Sequence, residues 1–338
     1  MFNKIIIYKN NLINNVKQVK RENPNSKVCA MVKANAYGVG MNEVVQILEN
    51  YVDFWGVACF FEATKIKNLT KRKILIVGPL EKKHIDDEFS YSCGSVEDII
   101  YLAGLNKKIN IHLKINTGMN RYGFKSIKKF KKALNLISRS KLFVEGVYTH
   151  FATSDEFVEK QMNIFNKFVR LVKKEGFTPI VHADNSFVNE MFNHNLDMVR
   201  IGFSLFARQG GGFLSAHEIK SEIVEVQTVK KGELVGYDYR FIAQKNMTVG
   251  IVPIGYADGF DRKYIGLELI QNGNKCEVLN VCMDCFMLDI TNSGLKKGDE
   301  VSIVNKFNSL KLYSNHIETN EYEVITKFSY LRAERKVY

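Results

Sequence analysis

"INIHLKIN", residues 109–116, alternates strictly: Ile109, Ile111, Leu113 and Ile115 fall on one face of an extended strand, and Asn110, His112, Lys114 and Asn116 on the other. A closed barrel satisfies both faces. The apolar side packs on an outer ring of helices, and the polar side points into the barrel. Seven further apolar runs of strand length accompany it: "KVCAMVKA" (27–34), "FWGVAC" (54–59), "KILIVG" (73–78), "EFSYSC" (88–93), "VEGVYTH" (144–150), "PIVHAD" (179–184) and "MVRIGF" (198–203). Helix-like segments lie between most of them, among them "EVVQILENY", "SVEDIIYLAGL" and "EFVEKQMNIFNKFVRLVKKEG", the last with apolar residues at helical spacing and Gly176 placed to end it. Eight strands alternating with helices is the pattern of a (β/α)8 barrel of the TIM type. A doubly wound open sheet is the alternative, but no G-x-G-x-x-G follows an early strand.

Beyond about residue 215 the texture changes to short β-rich runs separated by Gly, Asn and Lys turns, as in "MTVGIVPIGYADG" and "KCEVLNVCMDCFMLDIT". The expected organisation is a barrel over residues 8–215, followed by a C-terminal mainly-β domain over 216–338 that residues 1–7 join. "QGGGF" (209–213) near the join reads as a flexible loop, with a phosphate wrap as the other reading.

The 338 residues are 46% hydrophobic, ample for a large core. The formal net charge of +12 invites a nucleic-acid or membrane-surface reading. The lysines are scattered and mixed with acids, as in "VKRENPNSK" and "IKNLTKRK", and no nucleic-acid-binding motif accompanies them, so neither partner is expected. The N-terminal apolar run in "MFNKIIIYKN" is far shorter than a signal-peptide core, and no stretch approaches a membrane span of about 20 apolar residues. The expected location is the cytoplasm.

Six cysteines, mostly inside apolar segments, read as reduced thiols. "CMDC" (282–285) has the spacing of a zinc knuckle or a redox pair, but no second ligand pair exists at similar spacing. Strand alternation would set Cys282 and Asp284 on one side, Met283 and Cys285 on the other.

Lys33, Lys114, His150, Asp184 and Arg200 all fall near the C-terminal ends of expected strands, the end at which barrel enzymes build their sites. A lysine buried there loses its proton more readily, and the neutral amine can form a Schiff base with an aldehyde. Tyr37 lies four residues on, near the same rim. Asn185 and Ser186 follow the seventh strand, and Gly202 and Phe203 follow Arg200 on the eighth, where barrels often bind phosphate. Pyridoxal phosphate carries both an aldehyde and a phosphate. The rival reading is a metal held by His112, His150 and His182 with Asp184, although the first strand lacks the H-x-H pair common in barrel metalloenzymes.

"MVKANAYGVG" (31–40) resembles the segment with which alanine racemases open their site. "LKINTGMNRYGF", "VYTHFATSD", "HADNS", "DMVRIGFSLF", "VGYDY", "PIGYADGF", "VCMDCFMLDIT" and the closing "RKVY" follow in the same order, covering the chain from about residue 27 to its end. The resemblance implies a pyridoxal-phosphate barrel followed by a β domain, interconverting L- and D-alanine and supplying D-alanine for cell-wall peptidoglycan. It implies that Lys33 holds the cofactor and acts as one acid–base group. Tyr237 would be the other, reaching the opposite face of the substrate from the partner subunit of a homodimer with shared sites. It further implies a hydrogen-bonded chain from His150 to Arg200 that tunes Tyr237, with Arg200 facing the pyridine nitrogen. Tyr37, Asn185, Ser186, Gly202, Phe203 and Tyr338 would hold the cofactor, largely through its phosphate. Arg121, Met283 and Asp284 would bind the substrate, and Tyr256 would line the corridor leading to it. Lys114 matches a lysine that some members carry as a carbamate. Four departures stand out: Asn116 where Asp is common, Asp184 where Ala is usual, "QGGGF" in place of a segment carrying Tyr-Gly, and no acidic residue in "IYKNNLINN". A broad-specificity amino-acid racemase and a non-catalytic pyridoxal-phosphate carrier are the alternatives; the carriers lack a second β domain.

Overall fold

In the computed structural model, which describes residues 1–152, 156–185 and 194–338, the chain divides into two compact units. The first strand, β1 (Lys4–Ile7), belongs to the sheet-rich unit. The next eight close a parallel barrel in chain order: β2 (Lys27–Met31), β3 (Phe54–Val57), β4 (Lys73–Ile76), β5 (Phe89–Cys93), β6 (Asn110–Lys114), β7 (Phe143–Tyr148), β8 (Ile180–Asn185) and β9 (Met198–Ile201). Closure is through β2 on β9, with Cys29 opposite Arg200. The barrel unit comprises residues 13–33 and 41–205.

The helices of this unit form where the sequence supplies amphipathic spacing and caps. Val96–Gly104 opens on a capping box, in which Ser95 accepts from the Asp98 amide and Asp98 returns the contact. Phe157–Lys174 buries Val158, Phe165, Phe168, Val169 and Val172 along one stripe. The interior is not uniformly apolar. His112, His182, Glu145, Lys114 and Arg200 are buried with it, His112 and Lys114 on the polar side that the alternation in "INIHLKIN" sets. No described helix is long and apolar enough to cross a membrane.

The second unit holds residues 1–12, 34–40 and 206–338. One sheet runs β16 (Glu300–Val304), β10 (His217–Glu222), β1 and β17 (Glu334–Val337). The other runs β11 (Glu225–Val229), β12 (Met247–Val252), β15 (Phe286–Asp289), β14 (Asn274–Val281) and β13 (Glu268–Gln271). Two short helices, Leu310–His316 and Glu321–Lys327, accompany the strands.

Two details differ from the sequence reading. Residues 282–285 form the turn between β14 and β15, closed by the Cys282 amide donating to Cys285 O at 2.8 Å. Strand alternation therefore does not sort Cys282 and Asp284 from Met283 and Cys285, because extended pairing ends at Val281 and Phe286. The strand before Lys33 also ends early, at Met31. Residues 34–37 then make a left-handed turn, with φ of 53°, 53°, 53° and 57°. For side chains with a Cβ this geometry costs roughly 1–2 kcal/mol per residue. Gly38 and Gly40 continue at positive φ, and the Gly38 amide closes the turn on Ala34 O at 2.9 Å. A Cβ on Gly38 would lie 2.9 Å from Ile325 O, so glycine is needed there for close approach as well as for conformation.

Candidate active site

Lys33 follows the first barrel strand, where the Val32 amide still bonds Gly56 O at 2.8 Å. Its amine is held below the usual lysine range, first by burial and then by the Arg121 guanidinium; Glu62 pulls the other way and Arg200 adds to the lowering. Lys114 is 5% exposed at the end of β6. Burial, then Arg121, Arg200 and Lys33, push its amine down to about 7. Its Nζ sits 3.6 Å from the centroid of the Tyr122 ring, and the Tyr148 ring is 5.4 Å away. Arg121 is exposed, with its guanidinium 5.4 Å from the same Tyr122 ring.

His150 stands at the head of the strand that supplies Tyr148. Burial lowers it first, and the four cations Arg200, Arg121, Lys114 and Lys33 then lower it further, to about 3. An imidazole among four cations stays neutral and is available as an acceptor. Arg200, 5% exposed on β9, donates through Nη2 to Thr149 O and Ala183 O, each at 2.9 Å, and lies 3.5 Å from His150 Nδ1. Through Nη1 it lies 2.9 Å from His182 Nδ1.

Lys33, Lys114, Arg121, His150 and Arg200 therefore gather at the C-terminal mouth of the barrel, close enough for their charges to act on one another. Packed cations that depress one another favour an anionic guest, and two amines held down by burial favour nucleophilic chemistry. Asn185 ends β8 opposite Arg200, and Gly202 and Phe203 follow β9, with Leu205 N bonding Gly202 O at 2.8 Å. Ser186 lies outside the described residues. His112 and His182 contact each other at 2.8 Å rather than converging on a shared ligand position, and no group of three or more metal-binding side chains occurs among the described residues.

The remaining expected residues belong to the sheet-rich unit. Tyr37 is buried against the rings of Phe206 and Tyr322, at 5.4 and 6.4 Å between centroids. Burial raises its phenol well above the usual range. Tyr237 is exposed, on a loop held by Asn280, whose amide donates to Val235 O and Tyr237 O, both at 3.0 Å. A Cβ at Gly236 would meet the Asn280 amide at 2.5 Å, so the glycine leaves room for that clamp. Met283 is exposed at the tip of the β14–β15 turn, which is pinned by the Tyr256 and Ala257 amides donating to Cys282 O and Met283 O at 3.0 Å each. Asp284 accepts from Arg332 at 2.8 Å, and the same guanidinium makes a fork on Asp258 at 2.7 and 2.9 Å. Tyr256 borders an open cavity of about 570 Å³ that Tyr330 and Arg262 also line. Tyr338 is exposed, and its amide bonds Ile7 O at 2.9 Å.

Sequence reading passed over Glu145, Tyr148, Tyr122 and Arg332. The signal for Glu145 was present: an acid within the apolar run "VEGVYTH" on a strand expected to be interior. Arg332 offered none, since its partners Asp258 and Asp284 are distant in sequence.

A closed parallel barrel with a desolvated lysine and a cationic cluster at its C-terminal mouth, accompanied by a sheet-rich unit, defines a barrel enzyme built around a nucleophilic amine. Family models described as "Alanine racemase, N-terminal domain" and "Alanine racemase, C-terminal domain" match residues 7–209 and 216–337. The alanine racemase of Staphylococcus carnosus is 31% identical, with 94% of this chain and 90% of that protein covered. The one from Fusobacterium nucleatum is 32% identical over 89% and 90%. Among solved structures, an alanine racemase from Clostridium difficile superposes with a TM-score of 0.92 at 27% identity, covering all of this chain and 96% of that one. The Bacillus anthracis alanine racemase with bound L-Ala-P gives 0.92 at 25% identity, covering 100% and 95%. The chain belongs to the alanine racemase family.

Proposed function

We propose that the protein racemises alanine with pyridoxal 5'-phosphate, using Lys33 and, from a second copy of the chain, Tyr237 as the two acid–base groups. The observation that carries this reading is the Lys33 amine, held below its ordinary range by burial and flanked by Arg121 and Arg200. A solved alanine racemase from Bartonella henselae has pyridoxal phosphate covalently bound. The residues present here fit that group. Lys33 offers a nucleophilic nitrogen, the cationic mouth suits a phosphate and a carboxylate, and Arg200 can only donate hydrogen bonds. When bound, the cofactor supplies an aldehyde for the amine and an electron-withdrawing ring that acidifies the substrate Cα–H. Tyr37, Asn185, Ser186, Gly202, Phe203 and Tyr338 would hold it, with the domain join placed near residue 215.

Lys33 Nζ then moves a proton at Cα on one face and Tyr237 Oη on the other; acting on opposite faces is what inverts the centre. Arg200, which only donates, would face the cofactor's ring nitrogen and leave it unprotonated, which would limit electron withdrawal and discourage transamination. Arg121 and Met283 orient the substrate carboxylate, Asp284 supports the Met283 turn, and Tyr256 lines the approach. Lys114 is proposed to carry a carbamate: its amine, near 7, attacks CO2 to form the N–C bond and releases one proton. The resulting anion would offset the charge of Arg121, and carbon-13-labelled bicarbonate would reveal it by NMR. The proposed location is the cytoplasm, and the proposed role is supply of D-alanine for peptidoglycan.

The test is chiral conversion of a panel of L-amino acids with and without added pyridoxal phosphate. Rapid conversion of alanine alone supports the reading. Comparable turnover of lysine or arginine would make it a broad-specificity racemase, and no turnover with cofactor bound would leave a carrier.

A further inference from the structure

A buried chain of side chains runs from the cationic mouth down through the barrel. Arg200 Nη1 lies 2.9 Å from His182 Nδ1, His182 Nε2 lies 2.8 Å from His112 Nδ1, and His112 Nε2 lies 3.1 Å from Glu145 Oε2. At the far end Lys73 and Ser90 donate to the same carboxylate. Lys73 is the first residue of β4, so this end sits at the N-terminal rim.

The two ends fix the direction of every bond between them. A guanidinium only donates and a carboxylate only accepts. His182 Nδ1 must therefore accept from Arg200, which places the His182 proton on Nε2. That proton goes to His112 Nδ1, so the His112 proton is on Nε2 and goes to Glu145. Any other arrangement of two neutral imidazoles sets two protons or two lone pairs against each other at a contact of normal hydrogen-bond length. Both rings are 0% exposed, so water cannot repair the mismatch. Burial holds both imidazoles below their ordinary range and hence neutral.

The rings are also held in place sterically. A Cβ on Gly146 would lie 2.2 Å from His112 Nδ1, so that position leaves space for the ring. The Tyr148 ring stacks on His182 with 4.8 Å between centroids and 10° between planes.

We propose that Glu145 and His112 are positioning residues for Arg200: the carboxylate sets the tautomer of His112, His112 sets that of His182, and His182 thereby presents the lone pair that holds one arm of the guanidinium at the barrel mouth. The tautomer assignment stands on the hydrogen-bond geometry; its effect on turnover rests on the racemase reading.

Solid-state NMR of the holoenzyme labelled with nitrogen-15 histidine tests it at neutral pH, the pair being identified by nitrogen–nitrogen correlation across their contact. Two Nε2–H tautomers are expected. An Nδ1–H tautomer or an imidazolium at either ring would overturn the proposal. Glu145→Leu should lose the assignment at His112 and lower kcat about tenfold with KM moved less than about twofold, whereas Glu145→Gln, whose carbonyl can still accept, should keep the tautomers and stay within about twofold of the parent kcat. If the leucine variant does not fold, the tautomers of the parent protein still decide. Nε2–H tautomers without any racemisation would uphold the proposal and sink the functional reading; full racemisation with the opposite tautomers would do the reverse.

Discussion

The barrel mouth and the loops of the sheet-rich unit hold their functional side chains by opposite means. At the mouth two of the charged groups are themselves buried, Lys114 and Arg200 each 5% exposed, and Arg200 is gripped on both arms. In the sheet-rich unit the backbone is fixed while the side chains stand out: Tyr237 is 65% exposed and Met283 54%, although Asn280 and the Tyr256–Ala257 amides pin the loops that carry them. Burial tunes acidity, so the amines are adjusted within one chain. Tyr237 instead stands open on its loop, and on our proposal the barrel mouth of a second copy covers it.

The largest effect that would sharpen this contrast is at Lys33. Lys33→Ala should abolish the absorbance of covalently bound pyridoxal phosphate and lower turnover by at least about ten-thousandfold; substantial residual racemisation would break the assignment of chemistry to the buried mouth. Tyr237→Phe comes next. It should leave the cofactor absorbance intact and slow exchange of the α-proton of L-alanine with solvent deuterium by about a hundred- to thousandfold, with D-alanine less affected. Equal survival of both exchanges would deny Tyr237 its face.

Asn280→Ala probes the loop clamp alone. Losing two buried hydrogen bonds to backbone carbonyls should cost about 1–3 kcal/mol in urea unfolding and reduce kcat about tenfold with Lys33 chemistry otherwise intact. A kcat equal to the parent would show that the clamp does not place Tyr237.

The pH dependence of stability reports on the barrel interior. His112, His150 and His182 are depressed by burial first, as is His217 in the other unit. A base whose folded value is depressed binds protons on unfolding as soon as pH drops below its unfolded value of about 6.5. Stability is thus full above that pH and falls beneath it, by up to about 1.4 kcal/mol per pH unit for each histidine. The loss should continue to about 4 for His217 and about 3 for His150. Urea unfolding of the cofactor-free protein between pH 7 and 5 measures this; a flat profile would mean that these imidazoles titrate alike in the folded and unfolded chain.

Much of the barrel is legible in the sequence because each strand is a local apolar run and the parity of residues 109–116 assigns an inside and an outside. Lys33, Lys114, His150 and Arg200 are legible as strand-end groups for the same reason. The helices Leu310–His316 and Glu321–Lys327 escape notice because seven residues span only about two turns, too few for a helical period to stand out. The turn at 282–285 is misread because "VCMDCF" carries neither Gly nor Pro, and the left-handed turn at 34–37 because, Asn35 apart, its residues Ala34, Ala36 and Tyr37 do not announce positive φ. The chain linking Arg200 to Glu145 is invisible for a different reason. His112, Glu145 and His182 become neighbours only when β6, β7 and β8 adopt their register, and that register shifts within β6–β7 and again within β8–β9.

Co-expression of the Lys33→Ala and Tyr237→Phe chains tests the division between buried mouth and exposed loop most directly. Each mixed dimer regains one site with both groups intact, so random pairing should return about a quarter of the parent racemase activity. Activity no higher than that of the two variants purified separately would contradict a site shared between copies.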